Sequence, residues 1–271
     1  MEKQTRLRLG ISTCPNDTYI YEDLIRGLPG SDLDWDVTYA DVQTLNERVI
    51  RGELDVAKVS CGVLPFILED YSVLTCGGAM GYGCGPLLLS SSAEPFNPSV
   101  PTLLPGKNTT AAHLFHFWAS RNKAKPKVEY AVFDELYRKL SRKEAAQGVV
   151  IHENRFTWEQ DHLHLIEDLG AYWETQTGSP VPLGCAVIRS SLGPELQEKV
   201  EHEIRKSLAF ANSRGEKITP FIREKAQIKD DKAILSHIEM FVNHFSENIE
   251  EEGARSLEIL LKTAPKDPKA C

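Results

Sequence analysis

At 271 residues the chain is long enough for two modest domains or one large one. Its 41% hydrophobic and 26% charged residues are ordinary for a globular protein, while a net charge of −8 without any Lys/Arg-rich run argues against a nucleic-acid surface. No stretch approaches the ~18 consecutive apolar residues of a membrane helix.

The first ten residues, Met1 to Gly10, contain no apolar export core. Six cysteines (14, 61, 76, 84, 185 and 271) lack Cys-x-x-Cys spacing, so they read as reduced thiols of a cytoplasmic protein.

Leu7–Ile11 reads as a first strand, followed by the loop Ser12–Asp17. Asn16 or Asp17 is the expected N-cap of a helix to about Arg26, closed by Gly27 and Pro29. Asp34–Ala40 is a second strand. Asp41 then caps a helix whose Leu45, Val49 and Ile50 share a face, and Gly52 ends it. Asp55–Val59 is a third strand, continued by Ser60-Cys-Gly and a helix-like segment to Glu69. Strand and helix alternating over short links is the signature of parallel α/β architecture.

Five glycines between Cys76 and Pro86 break this pattern before the apolar run Leu87–Leu89. The Pro-rich segment 90–101 reads as a crossover into a second unit. There, Thr102–Leu104 is a strand and Ala111–Arg121 a helix. Val128–Val132 is a further strand, and Asp134 caps a helix to about Gln147. Val149–Ile151 forms a short buried strand with His152 at its carboxyl end, and a partly helical segment follows from Gln160 to Gln176.

Pro180–Ile188 reads as a returning strand. Leu196, Val200, Ile204, Leu208 and Ala211 mark the apolar face of a helix opened by Pro194. Further helices lead to a Lys/Pro-rich tail, Thr263–Cys271, expected to fray. Residues 1–92 plus 190–271 would form a larger lobe and 93–189 a smaller one, with crossings near 90–101 and 182–190. That is the bilobal α/β layout of type II periplasmic binding proteins, whose ligands sit between the lobes.

Ligands in open α/β sheets bind outside the carboxyl ends of strands. Four loops leave such ends with small or polar residues: Ser12–Asp17, Lys58–Gly62, Gly83–Pro86 and Gly106–Thr110, with His152 as a fifth point. An imidazole there can act as a base near neutral pH. It can equally be a strand-end histidine bonded to Glu153 and Arg155.

Thr109 and Thr110 open a helix whose free N–H groups suit a carboxylate or phosphate, and Thr109 or Thr110 is also its natural N-cap. Gly106-Lys107 lacks the spacing of a nucleotide phosphate loop. His113 with His116 on a helix, and His162 with His164 on a strand, read as core or surface residues rather than metal ligands. Cys14 and His152 suggest a nucleophile–base pair, behind a plain base role for His152. Tyr19, Tyr21, Tyr82, Phe156 and Trp158 flank these loops.

Five motifs stand together: Leu9-Gly-Ile-Ser-Thr-Cys-Pro-Asn-Asp17, Gly52-Glu-Leu-Asp-Val-Ala-Lys-Val-Ser60, Gly83-Cys-Gly-Pro86, Gly106-Lys-Asn-Thr-Thr-Ala-Ala112 and Ile151-His-Glu-Asn-Arg-Phe-Thr157. By these the chain resembles, over nearly its whole length, the 1,4-dihydroxy-6-naphthoate synthases of the futalosine route to menaquinone.

The resemblance implies a binding-protein fold turned into a cofactor-independent lyase. Its substrate would be cyclic dehypoxanthine futalosine, a small-molecule carboxylate, and its products 1,4-dihydroxy-6-naphthoate and dihydroxyacetone. It implies His152 as base and substrate contacts at Lys58, Val59, Ser60, Thr109 and Thr110. Asn16, Cys14 and Gly83 are further candidates from the loops. Two positions, Asn154 and Trp158, depart from the resemblance, since family members often carry Gly and Tyr there. Chorismate dehydratase on the same fold, or a non-catalytic binding or sensor domain, are the rival readings. Nothing in the sequence calls for a metal, and an oligomer is possible but not indicated.

Overall fold

The computed structural model describes residues 5–227 and 229–264. Residues 265–271 of the expected frayed tail, Cys271 among them, lie outside the described residues. The chain runs β1 (Thr5–Ile11), α1 (Pro15–Arg26), β2 (Leu33–Tyr39), α2 (Val42–Ile50), β3 (Val56–Ser60), a 3-10 segment (Cys61–Phe66), β4 (Tyr71–Val73) and β5 (Ala79–Gly81). There follow β6 (Leu87–Ser90), β7 (Pro101–Leu104), α3 (Thr110–Arg121), β8 (Lys127–Tyr130), α4 (Phe133–Ser141), β9 (Gln147–Val150), a 3-10 turn (His152–Phe156), β10 (His164–Asp168) and α5 (Leu169–Thr177). It ends with β11 (Val181–Arg189), α6 (Pro194–Ser213), α7 (Pro220–Lys225), α8 (Asp231–Phe241), α9 (His244–Glu247) and α10 (Glu250–Thr263). No helix among the described residues is long and apolar enough to cross a membrane.

Two sheets result, as the alternation of strands and helices requires. One has the order β2-β1-β3-β11-β4, with β5 also on β11, and the other β10-β6-β9-β7-β8. In the first, β1 lies parallel to β2 and β3, whereas β11 runs antiparallel to β3. β3 is buried at every position because helices and loops cover both its faces, which is why its sequence alternates so little. Asp41 caps α2 as expected, accepting from the N–H groups of Gln43 and Thr44 at 3.0 and 3.1 Å.

Strand membership moves both crossings. β6 belongs to the second sheet, so the chain changes lobes at residues 82–86, within the glycine cluster. The Pro-rich segment 90–101 is instead an excursion between β6 and β7. The return falls at residues 178–180, because β11 lies wholly in the first sheet. Prolines signal a break in secondary structure without saying which sheet the chain is leaving.

The segment 160–176, expected to be partly helical, carries α5 from Leu169, preceded by the edge strand β10, whose half-exposed His-Leu-Ile-Glu-Asp hides the alternation. α4 stops at Ser141 rather than Gln147, because Lys143 takes a left-handed conformation with φ +60°. Val132, not Asp134, is its N-cap. His162 lies outside β10, so it does not share a strand face with His164.

The lobes are packed rather than merely tethered. One apolar cluster includes Leu45, Val59 and Leu257 together with Leu104, Phe115 and Val149 of the second lobe. Two close backbone approaches set their spacing. A Cβ at Gly62 would stand 2.5 Å from the carbonyl carbon of Thr109, and one at Gly85 would stand 2.2 Å from the Cα of Gly170.

This packing can be tested by contrasting two neighbouring glycines. Gly85→Ala forces the first crossing off α5 and should cost about 2–3 kcal/mol in urea unfolding. Gly83→Ala meets open space, and its φ of +66° should cost only about 1 kcal/mol. Equal losses at the two positions would rule out the close approach as the cause. Separately, hydrogen bonds from the Arg8 guanidinium hold the Asp55 carboxyl below its usual range. That stability is present above the ordinary carboxylate pKa of roughly 4 and is lost as pH falls through the depressed folded value. Asp55→Asn should therefore lower the urea midpoint at neutral pH, with the gap to wild type closing in acid.

Candidate active site

The cleft between the sheets is built from strand carboxyl ends. β1 delivers Ser12 to Asp17, β3 delivers Lys58 to Ser60, the loop after β7 delivers Thr109 and Thr110, and β9 delivers Ile151 and His152. α8 adds His237 and Phe241, and the first crossing adds Cys84 to Pro86.

The floor is wired through Asp17. Pro15 takes the first position of α1, where its missing N–H costs nothing, so Cys14 becomes the N-cap and makes no side-chain cap. The expected caps, Asn16 and Asp17, therefore lie in the first turn with their side chains free for other work. One Asp17 carboxylate oxygen accepts from Lys58 Nζ at 2.8 Å and Asn16 Nδ2 at 2.9 Å, and the other accepts from Ser12 Oγ at 2.7 Å. Lys58 and Asp17 side chains are only 6% and 5% exposed, so this is a buried ion pair inside a satisfied network. A Cβ at Gly184, on the neighbouring strand, would stand 3.0 Å from the Val59 carbonyl oxygen, a tight approach that suits glycine beside Lys58.

The imidazole of His152 projects from a left-handed backbone with φ +58°. Its Nδ1 lies 3.6 Å from Cys14 Sγ. Its ring meets Phe133 edge-on at 5.0 Å and stacks against His237 at 6.2 Å between centroids, 20° from parallel. The Glu153 side chain, part of the cluster expected around His152, lies outside the described residues. Arg155 holds the Gly83 and Gly85 carbonyls and Asp168, the N-cap of α5. His237 is 1% exposed and bonds Asn16 Oδ1 through Nε2 at 2.9 Å. Burial, and then the positive charges of His152 and Lys58, push its pKa well below the usual imidazole value.

Thr109 caps α3, accepting from the Ala112 N–H at 3.1 Å. The hydroxyls expected to anchor a ligand are already engaged. The Thr110 N–H donates to Ser60 Oγ at 2.6 Å, and Thr110 Oγ1 accepts from the Gly62 N–H at 3.1 Å. The Thr110 hydroxyl donates to the Leu183 carbonyl at 2.8 Å, leaving the Ser60 hydroxyl to donate to Thr110 Oγ1 at 3.0 Å. Asn46 completes the join, accepting from the Ser60 N–H and donating to the Asn108 carbonyl. These bonds tie the two lobes at the cleft's edge.

Cys14, Asn16, Lys58, Val59, Ser60, Thr109, Thr110 and His152 all line the cavity. Gly83 does not. It stands at the exposed rim, its N–H bonded to Glu174. Among the flanking aromatics, Tyr19 and Tyr21 are core residues and Tyr82 is half exposed, bonded to Glu252. His113 is a core histidine, its pKa pushed down to about 4 by burial. Three features of the cavity go unseen in the sequence: Asp17's central place in its hydrogen bonding, His237 and the pocket-lining Arg155. Asp17 reads there only as a cap, and nothing near His237 distinguishes it from a residue on the buried face of α8.

Comparison with known proteins agrees with this layout. Residues 7–266 match the profile of a family described as menaquinone biosynthesis. The chain is 38% identical to a 1,4-dihydroxy-6-naphthoate synthase of Streptomyces coelicolor, covering 95% of this chain and 92% of that one. It is 34% identical to the enzyme of that name from Thermus thermophilus, covering 95% and 93%. A crystal structure of an Archaeoglobus fulgidus protein superposes with a TM-score of 0.89 at 24% identity, over 96% of both chains. The periplasmic aliphatic sulphonate binding protein of Escherichia coli gives 0.63 at 13% identity, over 95% and 85%, a likeness of fold alone. The fold is thus that of the periplasmic binding proteins, and the chain belongs to the menaquinone-biosynthesis family.

Proposed function

We propose that the protein is a cytoplasmic 1,4-dihydroxy-6-naphthoate synthase, a carbon–carbon lyase acting on cyclic dehypoxanthine futalosine with His152 as general base. The placement of His152 carries this reading. It stands at a strand's carboxyl end, inside the interlobe cavity, on a backbone conformation that is costly for a residue with a Cβ. Such strain is retained where the surroundings demand one orientation.

In this reading, His152 removes the proton of a hydroxyl on the sugar-derived part of the substrate. That oxygen becomes a carbonyl as the adjacent carbon–carbon bond breaks, releasing dihydroxyacetone. The bonding electron pair passes into the ring system, and proton redistribution there completes the naphthoate's aromatic ring. The substrate carboxylate faces the positive start of α3, where Ala111 lines the cavity, and the Arg155 guanidinium. Packed lobes exclude water from the intermediate.

Purified protein incubated with cyclic dehypoxanthine futalosine should form 1,4-dihydroxy-6-naphthoate, detected by chromatography. His152→Ala should lose about 10²–10⁴-fold in turnover while still binding substrate. Turnover within about tenfold of wild type in the variant would place the base elsewhere. Ligand binding without turnover in the wild type would favour the sister dehydratase or a binding protein.

A further inference from the structure

We propose that Cys14, His152 and His237 form a binding site for one zinc-class divalent cation, and that filling it silences the enzyme by occupying His152. One ligand atom from each residue, a sulfur and two ring nitrogens, falls within 4.8 Å of the other two. Tetrahedral zinc, with bonds of about 2.3 Å to sulfur and about 2.0–2.1 Å to nitrogen, separates those two atoms by about 3.6 Å. Cys14 Sγ and His152 Nδ1 are 3.6 Å apart.

The third ligand is prepared by its surroundings. Asn16 Nδ2 donates to Asp17, so the Asn16 amide oxygen is the atom facing His237 Nε2 at 2.9 Å. An amide oxygen only accepts, so Nε2 carries the imidazole proton and Nδ1 carries the lone pair. That Nδ1 is buried with no hydrogen-bond partner among the described residues. A histidine whose second ring N–H is held by a carbonyl oxygen is the usual arrangement around a metal. Burial keeps this imidazole neutral, the form that ligates. Asp17 balances the nearby charge of Lys58, and coordination converts the Cys14 thiol to thiolate, releasing its proton to solvent. Two nitrogens and one sulfur from the protein leave a fourth position open toward the cleft.

Titrating the full chain with Co²⁺ reads the site directly. The expected result is one equivalent bound, with tetrahedral d–d bands and a sulfur-to-cobalt charge-transfer absorption that Cys14→Ser abolishes. His237→Gln should weaken Zn²⁺ competition by about 10–100-fold, with circular dichroism confirming that both variants remain folded. Octahedral spectra, or a charge-transfer band surviving in Cys14→Ser, would overturn the site. The silencing arm alone rests on His152 being the base. Zn²⁺ should stop naphthoate formation, chelation should restore it, and Cys14→Ser should lose less of its own turnover to the same zinc. A protein that binds the metal stoichiometrically yet turns over unimpeded refutes the silencing. One without turnover at any zinc level refutes the proposed reaction, while the cobalt titration still decides whether the metal site exists.

Discussion

The ion pair between Asp17 and Lys58 is the interaction on which the cleft depends. Both side chains are almost wholly removed from water, and removing one partner of such a pair typically costs about 3–5 kcal/mol. Its influence extends beyond that energy. Because Asp17 also takes the Asn16 amide and the Ser12 hydroxyl, it fixes which way the amide points, and the amide fixes the tautomer of His237. One carboxylate in the first turn of α1 thereby sets the proton positions of a residue more than two hundred places along the chain.

Lobe contact is maintained by groups that a binding protein would offer its ligand. Ser60 and Thr110 bond each other, and Thr110 reaches the Leu183 carbonyl on β11. Neutral hydrogen bonds of this kind are each worth only about 0.5–1.5 kcal/mol net. The close approach at Gly62 belongs to the same join: only a residue without a Cβ lets the segment after β3 touch the start of α3. The residues that read as substrate anchors in the sequence form, in this arrangement, a clasp between the lobes.

Much of this is legible in the residues. Asp41, Gly52 and the apolar face of α6 mark their elements through local chemistry, capping and helical period, which act within a few residues. The cleft residues are legible in the same way, since strand ends followed by small polar loops are local features. What escapes depends on partners distant in sequence. β10 forms because β6 offers it an edge, so its own half-exposed residues carry no clear period. The crossing at 82–86 is defined by which sheet β6 joins, a matter of pairing with β9 rather than of the prolines beyond it. Asp17 is legible as a helix-start residue but not as the partner of Lys58, forty-one positions away.

His152 joins the two kinds of information. β9 ends at Val150 and Ile151 is still extended, with φ −129°, so a regular continuation would carry the next side chain out along the strand. The left-handed turn at His152 instead folds the chain back and sets the imidazole against Cys14, Phe133 and His237. Histidine visits this region more readily than most residues, yet the conformation still costs on the order of 1–3 kcal/mol. Packing from α4 and α8 must supply that much to hold it. Truncating Phe133 or His237 would therefore loosen the orientation of His152 without touching its chemistry. His152 is placed by helices from both lobes, so its geometry holds only while the lobes stay together.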